Sequence, residues 1–147
     1  MADPFDKRVA VAEDFLKIPH LGCLITDSHF RERDRMGRLL VFLARMKAAG
    51  GCGEVRGLGI SERTAVLLEP DGAVSVVGLG PAYLVRTRKA ARVIKPGVPL
   101  THTGFESFKL ERGRRFSLKR FRPDRLQAVR LNVTAGAMSA AAGASVY

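Results

Sequence analysis

The chain has 147 residues, which is enough for one domain that buries roughly 68–70% of its unfolded surface. Its 25 Lys and Arg residues outnumber its 14 Asp and Glu residues, and the net charge of +11 attracts polyanions and acidic substrates without indicating a fold. No apolar run of transmembrane length occurs, and the start, with Asp3 and Asp6, lacks the apolar core of a signal peptide, so no membrane association is expected.

The two cysteines, Cys23 and Cys52, are too few for a disulfide framework and do not have the spacing of a zinc site. No metal and no cofactor is predicted. The sequence therefore favours a protein of the reducing cytoplasm.

The first predicted element is a short buried strand at Leu21–Thr26, followed by the polar residues Asp27-Ser28-His29. Apolar side chains then recur at helical spacing across residues 31–49, and Gly50-Gly51 is expected to end this helix. Open α/β sheets carry their chemistry where a strand runs into a helix. The junction around His29 is thus the first candidate site.

Beyond the helix the apolar pattern changes to that of strands. Strands are predicted at Val55–Ile60 and Thr64–Leu68, and a turn at Glu69-Pro70-Asp71-Gly72 predicts a hairpin that returns through Ala73–Val77.

Two more short strands are predicted, at residues 82–86 and 105–110, with a loop containing Pro96 and Pro99 between them. The domain is expected to end near Phe121. Residues 122–147, first basic and then rich in alanine and glycine, are predicted to be a disordered tail.

Two blocks of sequence carry family motifs. TDSHFRERDRMGRLLVFLAR, at 26–45, contains D-x-H-F and then R-x-G-R-L, and RGLGISERTAVLLEPDGAVSVVG, at 56–78, contains G-[IL]-G-I-[DS]-E-x-T-A. Together they resemble the second half of cyanophycinases and of the related aspartyl dipeptidases of the peptidase E group. Residues 1–121 are thereby interpreted as the C-terminal part of a cyanophycinase-like domain.

The resemblance implies an α/β fold, here part of a three-layer sandwich of the class I glutamine-amidotransferase-like type with a β-hairpin-rich end. It implies a serine peptidase with a nucleophile elbow, a histidine base and an orienting carboxylate. The implied substrates are aspartyl peptides or isopeptides, including the β-aspartyl-arginine units of cyanophycin, and the complete family members are expected to be homodimers.

Carried over to this chain, the resemblance makes His29 the general base, a role that an imidazole can fill near neutral pH. Ser28, Arg33, Arg35 and Arg38 are predicted to bind substrate, since a guanidinium fork matches a carboxylate. Ser28 stands where cyanophycinases tend to have glutamine, which favours other aspartyl peptides. The alternatives are a packed histidine at the start of the helix and a solvated face of arginines.

The resemblance places the nucleophilic serine and the orienting carboxylate upstream of D-x-H-F, so we expect the chain to be inactive unless a partner chain supplies the N-terminal half. None of its serines lies in a G-x-S-x-G elbow. Thr134, in the segment TAGA, is an alternative nucleophile. Glu62 is predicted to be structural, and His20 and His102 are predicted to lie in loops.

A second hypothesis starts from the heavily basic segment Lys109–Arg130. Such a segment is typical of a nucleic-acid-binding module, with the positive side chains on phosphates. In this hypothesis, the aromatic residues that stack on bases are Phe105, Phe108, Phe116 and Phe121.

Overall fold

The computed structural model describes residues 1–9, 18–119 and 126–147. These residues form ten strands and one helix. The elements in chain order are β1 Leu24–Ser28, α1 Met36–Ala49, β2 Val55–Ile60, β3 Thr64–Leu68, β4 Ala73–Gly78, β5 Ala82–Thr87, β6 Val93–Lys95, β7 Val98–Leu110, β8 Arg115–Ser117, β9 Val129–Thr134 and β10 Ala137–Ala140.

The main sheet contains seven strands, six of them in the order β1-β2-β5-β7-β9-β10, with β6 paired to β7 beside this path. The pairing of β1 with β2 is parallel, and all the other pairs are antiparallel. A second sheet has three strands in the order β3-β4-β8. The main sheet is open, with β1 at one edge of the path and β10 at the other.

Strand β5 shows how the layers are arranged, because successive side chains of a strand point to opposite faces. Tyr83 and Val85 pack with helix α1, while Ala82 and Leu84 pack with Val76 of the small sheet. The main sheet therefore lies between a helix and a second sheet. This is the mixed α/β structure that was predicted, whereas the amidotransferase-like type itself stays a prediction.

Two glycines of β2 allow helix α1 and Phe30 to pack closely against the sheet. A Cβ atom at Gly57 would come within 2.7 Å of Leu39 Cδ1, and one at Gly59 would clash with the ring of Phe30. The G-x-G pattern of this strand is therefore explained by the approach of α1 and of the residue that follows His29.

The predicted strands at β2 and β3 are confirmed, and those at β4 and β5 are confirmed to within one residue. Strand β1 lies slightly later than expected, and the helix begins at Met36 rather than at residue 31. Residues 29–35 form turns instead, with positive φ angles of 47° at His29 and 45° at Asp34. The strand predicted at residues 105–110 is the end of the longer strand β7, and the loop predicted around Pro96 and Pro99 is only a turn at Pro96, because β6 and β7 form a hairpin there.

The predicted disorder of residues 122–147 is wrong for the part of that segment described. Strand β9 pairs with β7 and places Leu131 and Val133 in the core, where both are fully buried. Positive φ angles at Ala135 and Gly136 turn the chain into β10. The predicted domain end near Phe121 falls within residues 120–125, outside the described residues.

Cys23 and Cys52, judged too few for a disulfide framework, form a single disulfide with each other. The bond joins the residue before β1 to the connection between α1 and β2. Disulfides are typical of oxidising compartments, so a cytoplasmic location stays a prediction. Across the described ranges, no helix has the length and apolar character needed to cross a membrane.

His102 lies inside β7 and is fully buried, so its assignment to a loop was wrong. Its ring stacks on Phe105, and its Nε2–H donates to the carbonyl of Lys89 over 3.1 Å. Burial lowers the pKa of His102 and keeps the ring neutral in the core. His20, in contrast, lies in a turn as expected and contacts the carbonyl of Pro70.

Candidate functional site

The candidate site lies where the parallel strands β1 and β2 end. Ser28 is paired with Ile60 at the last position of the ladder, so both strands finish at the same edge of the sheet. His29 directly follows β1, and Glu62 lies two residues beyond the end of β2. The parallel pairing thus brings together two side chains that are 33 residues apart in the sequence.

His29 and Glu62 are in direct contact, with 2.8 Å between His29 Nδ1 and Glu62 Oε1. Their side chains are 47% and 46% exposed, so the pair faces the solvent. The hydrogen bond from His29 is the largest cause that lowers the pKa of Glu62, and the positive charges of His29, Arg33 and Arg63 act in the same direction. The carboxylate is therefore ionised at neutral pH.

An ionised carboxylate can only accept hydrogen bonds, so Nδ1 of His29 carries a proton. In the neutral imidazole the other nitrogen, Nε2, is then an acceptor. This is the tautomer that a general base requires, with a carboxylate orienting the ring from behind. The structural role of Glu62 and the upstream position of the orienting carboxylate stay predictions, and the contact makes Glu62 a second candidate for the orienting group.

The backbone around the pair is held by local hydrogen bonds. The N–H of Glu62 donates to Glu32 Oε2 over 3.0 Å, and the hydroxyl of Thr64 donates to the Glu62 carbonyl. The N–H of Phe30 donates to the carbonyl of Ile60 over 3.1 Å, which extends the β1–β2 pairing past His29. His29 itself has a left-handed φ of 47°, a conformation that non-glycine residues adopt mainly where the surroundings impose it.

Two of the predicted substrate-binding arginines bind a side chain of the protein itself. Arg35 Nη1 lies 3.1 Å from Asp27 Oδ1 and 2.7 Å from the carbonyl of Ser28, while Arg38 Nε lies 2.9 Å from Asp27 Oδ2. Arg38 Nη2 also contacts Asp27 Oδ1. The side chain of Asp27 is only 3% exposed, and a buried carboxylate requires such partners. Asp27 was not predicted from the sequence as the partner of these arginines.

Ser28 and Arg33, the other predicted substrate-binding residues, are exposed beside His29. Arg38 keeps 44% of its side chain exposed although it contacts Asp27, whereas only 18% of Arg35 is exposed. His29, Ser28 and Arg33 are thus all exposed to solvent. Of the remaining two residues, only Arg38 has a substantial exposed face.

Thr134 is not placed to serve as a nucleophile for His29. It ends β9, which is separated from β1 by β2, β5 and β7 in the sheet order. Four strand spacings amount to about 19 Å along the sheet. The alternative of a threonine nucleophile from the TAGA segment is therefore wrong for this arrangement of the chain.

No family model matches the chain. It is 33% identical over 99 residues to the cyanophycinase of Trichormus variabilis and, to the same extent, to the cyanophycinase of Nostoc sp.. The alignment covers 65% of this chain and 31% of each relative, so the chain spans about a third of the length of the relatives that it matches. The chain is distantly related to cyanophycinases.

Proposed function

We propose that this chain, as a distant relative of cyanophycinases, is the part of a cyanophycinase-like serine-type peptidase that carries the general base. The observation that supports the proposal most is the exposed contact of 2.8 Å between His29 and Glu62 at the ends of two parallel strands. The chain is inactive alone in this proposal, because the nucleophilic serine belongs to a segment that it lacks.

In the complete site, His29 Nε2 accepts the proton of the serine hydroxyl as the serine oxygen attacks the scissile carbonyl. The carboxylate of Glu62 stabilises the imidazolium that forms. His29 then returns the proton to the leaving amine. Each step uses only the imidazole nitrogen that Glu62 leaves free.

The proposed substrates are aspartyl peptides or isopeptides, including β-aspartyl-arginine. Arg33 is exposed and its N–H donates to the His29 carbonyl, and Arg38 keeps an exposed face, so both are proposed to receive a substrate carboxylate. Ser28, in place of the glutamine that cyanophycinases tend to have, favours substrates other than cyanophycin itself.

The proposed partner is a polypeptide that carries the N-terminal half with its nucleophile elbow. Among the described residues, β1 pairs with β2 on one side only, and it ends next to His29. An unpaired strand edge is a template for a further strand. Addition of the missing half at this edge brings its serine to His29, and dimerisation of two such assemblies corresponds to the homodimer expected for the family.

Complementation tests this proposal. We expect that co-expression with the N-terminal half of a cyanophycinase gives hydrolysis of β-aspartyl-arginine or of another aspartyl dipeptide, while the chain alone gives none. His29→Ala in the complemented enzyme is expected to lower kcat by at least about 100-fold, the lower range for general-base catalysis. His20→Ala, a histidine in a distant turn, serves as the matched control. Absence of activity from every such pair, or activity that His29→Ala does not lower, contradicts the proposal.

A second candidate function is the binding of a polyanion such as nucleic acid. Arg112, Arg114 and Arg115 are exposed around β8, which favours contacts with phosphates. Phe105 and Phe108, in contrast, are buried in the core and are not available to stack on bases. Phe116 is partly buried against the small-sheet core, and Phe121 lies outside the described residues.

A further inference from the structure

The segment that follows β10, residues 141–147, crosses back over the main sheet, and we call it the strap. It leaves the sheet edge with a hydrogen bond from the N–H of Ala141 to the carbonyl of Arg130, and its residue Tyr147 packs on Tyr83 of β5. From β10 to β5 the distance is three strand spacings, about 14 Å. Six extended residues reach about 20 Å, so the strap can make this crossing.

Tyr147 occupies a specific pocket, which we call the tyrosine pocket: the rings of Phe30 and Tyr83, the carboxylate of Asp34 and the N–H of Met36. The Tyr147 ring meets Phe30 and Tyr83 edge to face, with centroids 6.0 Å and 5.6 Å apart. Its hydroxyl donates to Asp34 Oδ1 over 2.8 Å and accepts from the Met36 N–H over 2.9 Å. The pocket thus contacts both the ring and the hydroxyl.

The hydrogen bonds explain why a tyrosine fits here. Met36 is the first residue of α1, and its N–H has no partner within the helix. Arg35, at the N-cap, supplies no side-chain hydrogen bond to cap the helix. The hydroxyl of Tyr147 fills that role and satisfies a carboxylate at the same time, which a phenylalanine ring cannot do.

The rest of the strap makes few hydrogen bonds to the sheet, although Val146 packs against the hydrophobic core. It consists of Ala, Gly, Ser and Val residues, and a cleft of about 480 Å³ separates it from Tyr83, Ser107 and Lys109 of the sheet. Two further hydrogen bonds stay within the strap: the N–H of Ala144 donates to the Ala141 carbonyl, and the N–H of Tyr147 donates to the Ser145 hydroxyl oxygen. The side chains of Tyr147 and Val146 therefore anchor the strap, and Tyr147 alone of the two adds side-chain hydrogen bonds.

We propose that the tyrosine pocket is a binding site for the tyrosine side chain of a peptide, and that Tyr147 fills it in cis. The ring contacts and the paired hydrogen bonds select a phenol, and the cleft under the strap provides space for the residues next to it. This site goes beyond the proposed peptidase function. It does not depend on His29 acting as a base, so either proposal can fail without the other.

A vacated pocket is the first test. In Tyr147→Ala, p-cresol is expected to bind at the pocket, with shifts of the amide resonances of Phe30, Met36 and Tyr83 in NMR spectra. Toluene is expected to bind at least about tenfold more weakly, because it cannot make the two hydrogen bonds. The wild-type chain, with the pocket filled, is the matched control and is expected to bind p-cresol at least about tenfold more weakly. Equal binding to both proteins, or no shifts at these three residues in a folded variant, overturns the proposal.

A second measurement does not require a variant. The chain has only two tyrosines, so 3-fluorotyrosine labelling gives two ¹⁹F resonances, one from Tyr83 and one from Tyr147. Addition of N-acetyl-tyrosinamide is expected to displace Tyr147 and move its resonance toward that of a solvent-exposed tyrosine. N-acetyl-alaninamide is expected to leave it unchanged. A Tyr147 resonance that does not respond to millimolar N-acetyl-tyrosinamide overturns the proposal.

Discussion

His29 and Glu62 meet because each follows the end of one of two parallel strands, β1 and β2. Both side chains are about half exposed, and an ion pair in such a position is screened by water and adds little to stability. The value of the contact is geometric. It fixes the orientation of the imidazole and directs the proton to Nδ1, which leaves Nε2 available as a base.

Removal of the imidazole is expected to shift the titration of its partner. In His29→Ala the pKa of Glu62 should rise toward its usual range, because the hydrogen bond that lowers it most is lost while the charges of Arg33 and Arg63 remain. The measurement is a ¹³C NMR titration of the Glu62 carboxyl carbon. His20→Ala is the control, since that histidine contacts Pro70 and not Glu62. An identical Glu62 pKa in wild type and His29→Ala contradicts the assigned contact.

The lowered pKa of Glu62 also determines how the stability of the protein changes with pH. Because the folded-state pKa of Glu62 lies below its unfolded value, the stabilisation from the pair is fully present above the usual glutamate pKa of about 4.3. It is lost as the pH falls through the lowered folded-state pKa. Its size is small, since both groups are exposed to solvent.

Edge strand β1 is held at its start by the disulfide between Cys23 and Cys52. The same region is tied by the N–H of Arg56, which donates to the Cys23 carbonyl over 2.9 Å, and by Lys47 Nζ, which donates to the Cys52 carbonyl over 2.8 Å. These bonds join β1, α1 and β2 at the end of the sheet that lies away from His29. The disulfide therefore helps to hold in place β1, the strand that leads to His29.

Reduction of this disulfide is expected to lower the free energy of unfolding by roughly 3–4 kcal/mol, from the chain-entropy cost of a loop of 29 residues. For a chain of this size the corresponding decrease in Tm is roughly 10 °C. Differential scanning calorimetry with and without dithiothreitol measures it. The double variant Cys23→Ala/Cys52→Ala should have the same Tm as the reduced protein, and the reductant should not change that Tm. A wild-type Tm that stays within about 2 °C on reduction contradicts the expectation.

Strands β2 to β5 could be predicted because their apolar alternation and the turn at Glu69-Pro70-Asp71-Gly72 are local signals. Strand β9 has the same alternation, Val129, Leu131 and Val133, but it stands between a basic segment and a small-residue segment. Its order comes from pairing with β7, more than twenty residues earlier in the chain. The alternation of β9 is therefore a local signal that its basic and small-residue neighbours masked, while its pairing with β7 is set by the fold.

The candidate site, too, could be predicted from the sequence only in part. The D-x-H-F motif identified His29 from the sequence, whereas the pairing of His29 with Glu62 depends on the parallel register of β1 and β2. The roles of Arg35 and Arg38 could not be read from helical spacing. They depend on Asp27, whose burial is a property of the packed sheet.

Across the whole molecule, part of the positive charge is neutralised by acidic partners. Arg86 and Arg88 contact Glu54, and Arg35 and Arg38 contact Asp27. The residues exposed around β8 form a second group, which we call the basic cluster: Arg112, Arg114, Arg115 and Lys119. A cluster of this kind attracts phosphates and carboxylates alike, so charge alone does not separate nucleic acid from an acidic peptide.

The salt dependence of polyanion binding distinguishes non-specific electrostatic binding from base-specific recognition of DNA. We expect the chain to bind duplex DNA and poly-aspartate alike and without sequence preference, through the four side chains of the basic cluster. Fluorescence anisotropy at several salt concentrations should then give a slope of log K against log [salt] of about −3 to −4 for DNA. The variant Arg112→Gln/Arg114→Gln/Arg115→Gln should reduce that slope by about 3, and Arg92→Gln is the matched control in another loop. Tight, sequence-selective DNA binding with a flat salt response would show base-specific recognition instead, and would favour the nucleic-acid function over the peptidase function.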